Sequence, residues 1–96
     1  MAATAVAAAL AALPADVDLD VWGANVRDWR TYRALTQREL AGRVSDLTGR
    51  NFGPDAISEI ENGRRRPTDP VRIAIAAALD AHPFVLFPYP EVGRRD

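Results

Sequence analysis

Three consecutive arginines form the densest group of fixed charge in this 96-residue chain, and they stand directly after the sequence ISEIENG. A guanidinium group can bind two phosphate oxygens at once through parallel hydrogen bonds. The segment 27–66 holds nine arginines against six acidic residues, a net charge of +3, whereas the whole chain has a net charge of −1. Because a local basic surface is enough to attract a polyanion, Arg64, Arg65 and Arg66 are predicted to contact phosphate.

Catalytic and metal-binding chemistry have little support in the sequence. There is no cysteine, and His82 is the only histidine, so a metal site built from these ligands is not expected. Ser45 and Ser58 have no paired base of the kind that activates a nucleophile. His82 stands before Pro83 and is interpreted as a capping or surface residue. The sequence therefore predicts a protein that is not an enzyme and that binds no cofactor, metal or small-molecule ligand.

Two short helices must position the arginines, and the first is predicted from Thr36 onward. Glu39 follows Thr36 by three residues, which completes a capping box. Gly49 is a suitable stop after Thr48. The apolar stripe of this helix is predicted to contain Leu40, Ala41, Val44 and Leu47.

The second of these helices is predicted to begin at Pro54, because proline favours the first helical position. Ile57 and Ile60 would form its buried side. Gly63 would end it and let the chain turn sharply into the arginines. The rest of its surface would then remain accessible to a ligand.

Further helices are predicted on either side. Asp20 is expected to cap a helix whose buried face contains Trp22, Val26 and Trp29, spaced as one helical face. Pro67 and Pro70 delay the next helix until about residue 70; its buried positions are Val71, Ile75 and Leu79. A last short turn is expected to offer Phe84, Leu86 and Phe87 to the core. With no convincing strand alternation, the chain is predicted to be all-α with five helices.

The chain is divided by composition into an alanine-rich, partly helical arm over residues 1–19, a domain over 20–88 and a tail over 89–96. The apolar run of the arm falls short of the roughly 20 residues that a membrane span needs. It also lacks the preceding positive charge of a secretory signal. A cytoplasmic protein without membrane contact is therefore expected, and the arm could alternatively be an extra helix used for self-association.

A family resemblance is carried by VRDWRTYRALTQRELAGRV, ISEIENGRRRP and IAAAL taken together. This combination resembles the helix-turn-helix domain of the lambda-repressor and Cro-like (XRE) proteins, over roughly residues 22–86. The resemblance implies a compact five-helix lambda-repressor-like DNA-binding domain. In such domains one short helix lies across the DNA backbone and the next enters the major groove.

The resemblance also implies roles for individual residues. The exposed positions of the helix that begins at Pro54 would face base edges. These are Pro54, Asp55, Ser58 and Glu59. Phosphate contacts would come from Gln37, Arg50, Asn62, Arg64, Arg65 and Arg66. Arg30 and Glu61 match a pair that forms a partly buried salt bridge in several relatives, and the resemblance implies a structural role for it.

Two features depart from the family pattern. Ile57 follows Ala41 by sixteen residues, which is more than the family has. A longer helix from Thr36 onward, followed by the loop GRNFG, is the simplest way to accommodate the extra residues. The groove-facing helix is also acidic at Asp55 and Glu59. A carboxylate can accept a hydrogen bond from cytosine N4, but Asp55 can also simply complement the helix dipole.

The expected function is that of a sequence-specific DNA-binding transcriptional regulator, with repression by promoter occupancy as the favoured mode. A single small module buries only about 600–1,000 Å² on DNA, so a homodimer on a two-fold symmetric operator is expected. The apolar C-terminal turn or the alanine-rich arm could supply the dimer contact. The alternative is a protein-interaction module, an antitoxin or an adaptor, that uses the same fold.

Overall fold

Five α-helices joined by short loops make up residues 17–89, which are the part of the chain that the computed structural model describes. The helices are α1 Leu19–Tyr32, α2 Gln37–Thr48, α3 Pro54–Glu61, α4 Asp69–Leu79 and α5 Pro83–Leu86. This confirms the all-α, five-helix prediction for the described residues, which contain no strand. The alanine-rich arm up to residue 16 and the tail from residue 90 lie outside the described part. None of the five helices is long and apolar enough to cross a membrane.

The first helix begins earlier than the sequence predicts. Asp18, and not Asp20, is the N-cap: its carboxylate accepts hydrogen bonds from the backbone N–H groups of Asp20 (3.0 Å) and Val21 (3.2 Å). The two acids stand two residues apart, and either could cap the helix by its chemistry alone. Leu19 is therefore helical, and the predicted boundary between arm and domain at residue 20 lies inside α1.

The predicted caps of the next two helices are confirmed. Thr36 Oγ1 accepts from the N–H of Glu39, and the Glu39 carboxylate accepts from the N–H of Thr36, at 3.0 and 2.8 Å. Pro54 is in the first turn of α3. Gly63 then adopts a left-handed φ of 73°. The turn is closed when the N–H of Arg64 donates to the carbonyl of Glu59 at 2.8 Å, which is the Schellman pattern of a helix end.

The core lies where α2 meets both α3 and α4, with α1 packed across α3. Two predicted core residues are exposed instead: Leu47 is 57% exposed and Phe84 is 69% exposed. Each lies near an end of its helix, where none of the five described helices covers it. Tyr89, predicted to belong to the tail, packs against Trp22 in a T-shaped arrangement with 5.7 Å between the ring centroids. The buried apolar residues are Trp22, Val26, Leu40, Ala41, Val44, Ile57, Ile60, Ala74, Ile75, Ala76, Leu79, Leu86 and Phe87.

The backbone of α1 comes very close to α3 at Gly23. A Cβ atom at this position would lie 2.4 Å from the carbonyl oxygen of Glu61 and 2.5 Å from that of Ile60. Real Cβ atoms do not approach carbonyl oxygens so closely. Glycine is therefore required if α1 is to rest directly on the C-terminal turn of α3.

The loop between α2 and α3 is fixed by Ser45. Its hydroxyl donates to the carbonyl of Phe52 at 3.0 Å and accepts from the N–H of the same residue at 2.9 Å. The extra residues noted in the sequence are accommodated as predicted, by a 12-residue α2 capped at its C-terminal end by Gly49 (φ 71°) and by this loop. The longer connection is thus tied back to α2 just before α3 begins.

One helix end carries backbone strain that a substitution should relieve. Ala34 follows α1 with a φ of 58°, a region that costs an L-residue roughly 1–2 kcal/mol. Ala34→Gly is expected to raise the free energy of unfolding by about 1 kcal/mol, measured by urea denaturation. The matched control is Ala24→Gly at an exposed position inside the same helix, where glycine should cost about 1 kcal/mol. Equal destabilisation by both variants would contradict this interpretation.

Candidate nucleic-acid interface

A buried carboxylate holds the candidate interface in place. Glu61, at the end of α3, is only 3% exposed. Arg30 of α1 donates to it from Nε to Oε2 at 2.5 Å and from Nη2 to Oε1 at 3.0 Å. Gln37, the first residue of α2, donates from Nε2 to Oε1 at 3.0 Å. Three helices therefore meet at one charge, and the pair Arg30–Glu61 is brought together in a two-point contact.

The guanidinium of Arg30 is satisfied on its other side too. Its Nη1 donates to the carbonyl of Leu35 at 2.8 Å, in the connection between α1 and α2. The hydrogen bond to Glu61 raises the pKa of Arg30, and the attraction between the charges adds to this, although burial opposes it. Arg30 therefore stays charged throughout the physiological pH range.

With its inner side fixed in this way, α3 presents one polar face outward. Asp55, Glu59 and Asn62 are exposed, and their spacing of four and then three residues places them on one side of a helix. Ser58 lies beside them and is partly buried, as is Pro54 at the start of the helix. The four side chains predicted to face base edges therefore lie on or beside the accessible face of α3.

Sequence reasoning did not single out Arg27, which lies at the far end of this face. Its Nη2 donates to the side-chain oxygen of Asn62 at 3.1 Å and to the carbonyl of Glu61 at 3.2 Å. The side chain remains 48% exposed. Its position three residues before Arg30 on α1 placed both on one helix face, and that spacing was the available signal. Asn62 is further held by its own Nδ2, which donates to the carbonyl of Ser58 at 2.9 Å.

The three adjacent arginines have three different environments. Arg64 is exposed, and its side chain has no hydrogen-bond or ion-pair partner among residues 17–89. Arg65 forms an ion pair with Glu59, with 2.9 Å between Nε and Oε1. The guanidinium carbon of Arg66 lies 5.7 Å from the centre of the Trp22 ring, within range of a cation–π contact. The sequence predicts the same phosphate contact for all three arginines and does not distinguish these environments.

The remaining predicted phosphate contacts lie at the start of α2 and in the loop before α3. The Gln37 amide nitrogen is committed to Glu61, but the first backbone N–H groups of a helix attract anions. Arg50 follows the left-handed Gly49 and is exposed, with its backbone N–H bonded to Thr48 Oγ1 at 3.2 Å. Cationic groups are thus found at both ends of α3, near residues 50 and 64.

The possible metal ligands of the described residues do not form a cluster. In the part of the chain that the structure describes, no group of three or more His, Cys, Asp or Glu side chains could hold a metal ion. His82 is the N-cap of α5, with its Nδ1 accepting from the N–H of Phe84 at 3.1 Å. The prediction of a capping or surface histidine is confirmed, since His82 caps the helix and is exposed.

Comparison with known proteins gives a consistent result. Residues 23–84 match the family model described as "Helix-turn-helix domain". The restriction-modification controller protein C.AhdI from Aeromonas hydrophila is similar at 28% identity and a TM-score of 0.59, over 73% of this chain and 97% of that chain. The clp gene regulator ClgR from Corynebacterium glutamicum is similar at 25% identity and a TM-score of 0.59, over 71% and 66%. No curated protein sequence matches significantly.

The buried ion pair should matter far more to stability than the exposed one. Arg30→Met would leave the Glu61 carboxylate buried without its two-point partner, and is expected to lower the free energy of unfolding by about 3–5 kcal/mol. The matched control is Arg65→Met, which breaks a pair whose members are about half exposed and should cost under about 1 kcal/mol. Urea denaturation of both variants measures the difference, and similar losses would show that Glu61 does not depend on Arg30.

Proposed function

The chain belongs to the helix-turn-helix family of DNA-binding domains, and from that premise we propose that it is a sequence-specific transcriptional regulator whose α3 enters the major groove. The observation that carries the proposal is the polar outward face of α3, fixed on its inner side by the Glu61 contacts. A helix of this size fits the major groove of B-DNA. The face is exposed and is not covered by any other described helix.

Within this proposal, the residues divide into two groups. Pro54, Asp55, Ser58 and Glu59 face base edges, because they lie on or beside the outward side of α3. The phosphate contacts come from the flanks of that helix, where each cation releases counterions from the duplex on binding. The flanking residues are Gln37, Arg50, Asn62, Arg64, Arg65 and Arg66, to which the structure adds Arg27 as a candidate.

Repression through a two-fold symmetric operator is the favoured mode of action. One small module buries about 600–1,000 Å² on DNA, and a second copy would double this area and would match a palindromic site. The exposed Phe84 and Val85 on α5 offer an apolar contact for such a homodimer. C.AhdI is a restriction-modification controller protein and ClgR is a clp gene regulator, and the similarity to both supports regulation as the role.

The rival function is a protein-interaction module, an antitoxin or an adaptor, with the same fold. It shares the core and the Glu61 contacts but does not need the cationic flanks of α3. A measurement of duplex DNA binding therefore separates the two functions. Duplex binding with a steep salt dependence would support the DNA-binding function, whereas an adaptor would be indifferent to removal of the flanking charge.

Arg64→Ala is the sharpest test, since this side chain is exposed and available. The substitution is expected to weaken binding to all duplexes by about tenfold, as for a hydrogen bond to a charged group, and to reduce the slope of log affinity against log salt by about 1. Fluorescence anisotropy with a labelled duplex at several salt concentrations measures both quantities.

The matched control is Arg43→Ala. Arg43 is also an exposed arginine, but its Nη1 points to the carbonyl of Ala78 in α4 at 3.4 Å, on the side of α2 that packs against α4. Loss of this charge should change the affinity and the salt slope much less. Equal effects of the two substitutions would indicate a general dependence on net charge and would contradict the proposed contact.

A further inference from the structure

We propose that Glu59 and Arg65 act together as one reading unit for a C·G base pair in the operator. The inference rests on the proposed function, since it requires α3 to lie in the major groove. It goes further by naming the base pair that these two side chains select. It also gives Arg65 a role at the bases, beyond the phosphate contact that the sequence predicts.

The geometry of the turn after α3 places both groups on the outward face of the helix. Gly63 reverses the chain, and the N–H of Arg64 bonds back to the carbonyl of Glu59 at 2.8 Å. The next residue, Arg65, then reaches the same glutamate with its side chain, with Nε 2.9 Å from Oε1. The guanidinium therefore lies along α3, beside an exposed groove-facing residue, and does not extend into solvent away from it.

Both groups are accessible to a ligand although they are paired. The side chains of Arg65 and Glu59 are 47% and 48% exposed, and an ion pair exposed to this degree is weak. It can rearrange toward base edges at small cost. Without Arg65 beside it, Glu59 would bring an uncompensated negative charge close to the phosphates. The pairing therefore makes an acidic side chain compatible with a position in the groove.

The chemistry of the pair matches one base pair in particular. A carboxylate only accepts hydrogen bonds and a guanidinium only donates them. In the major groove, cytosine offers its N4 donor, and the guanine paired with it offers two adjacent acceptors, O6 and N7. An A·T pair offers no two adjacent acceptors of this kind, because the N6 group of adenine is a donor. The Glu59 carboxylate as acceptor and the neighbouring Arg65 guanidinium as bidentate donor therefore fit a C·G base pair best.

The other exposed acid of α3 does not offer the same arrangement. Asp55 has no ion pair among residues 17–89, and it lies in the first turn of α3. Negative charge there is favourable because it complements the positive end of the helix dipole. Asp55 thus has a sufficient local role, whereas Glu59 stands near the C-terminal end of α3, where the dipole gives no such benefit.

The experiment is selection of bound duplexes from a random DNA pool by the full chain, followed by the same selection with three variants. The wild type is expected to enrich C·G at one position of the site. Glu59→Gln should move that position toward A·T, because glutamine pairs with adenine N6 and N7, and the change in relative preference should be about 5- to 150-fold. Arg65→Ala should relax the preference at the same position.

Arg64→Ala is the control variant, because it removes the same charge from the neighbouring residue, whose side chain does not contact Glu59. It should weaken all sites alike and keep C·G at that position. Thermal melting by circular dichroism verifies that the variants are folded. An enriched site that stays unchanged in both Glu59→Gln and Arg65→Ala would overturn this inference alone. A wild-type protein that retains no duplex would overturn the proposed function and this inference with it.

Discussion

The buried charge of Glu61 sets the orientation of everything that faces outward on α3. A carboxylate that is 3% exposed must have its hydrogen-bonding capacity satisfied, and Arg30 and Gln37, approaching from α1 and α2, donate to it. The three helices therefore have one favourable relative arrangement. Buried apolar contacts from Ile57 and Ile60 would tolerate a small rotation of α3, but the two-point contact with the guanidinium would not. The ion pair thus contributes to the precision of the outward face as well as to stability.

The approach of α1 to α3 is the second constraint, and it acts at the same place. Gly23 brings the backbone of α1 against the carbonyls of Ile60 and Glu61, so the Arg30 side chain, seven residues further along the same helix, reaches the carboxylate at short range. Arg27 is carried to the other side of this contact, where it meets Asn62. A glycine with no functional group of its own therefore determines where two arginines can act.

Local signals in the sequence were sufficient for most of the helix boundaries. The capping box between Thr36 and Glu39 and the turn at Gly63 depend on neighbours within five residues, so a linear pattern contains them. The outward face of α3 followed from its two buried isoleucines. The exposure of Leu47 could not be predicted in this way, because it depends on where other helices end. The close contact at Gly23 likewise depends on residues nearly forty positions away.

The three arginines show most clearly what a linear pattern omits. Adjacent identical residues look equivalent in a sequence, yet a sharp turn points successive side chains in different directions. Arg64 is directed to solvent, Arg65 returns to Glu59, and Arg66 lies over Trp22. In the proposed function, attraction to the phosphates and discrimination between bases would be carried by neighbouring residues that do not compete for one guanidinium. In a protein of net charge −1, this proposed division would let a helix that bears acids approach a polyanion.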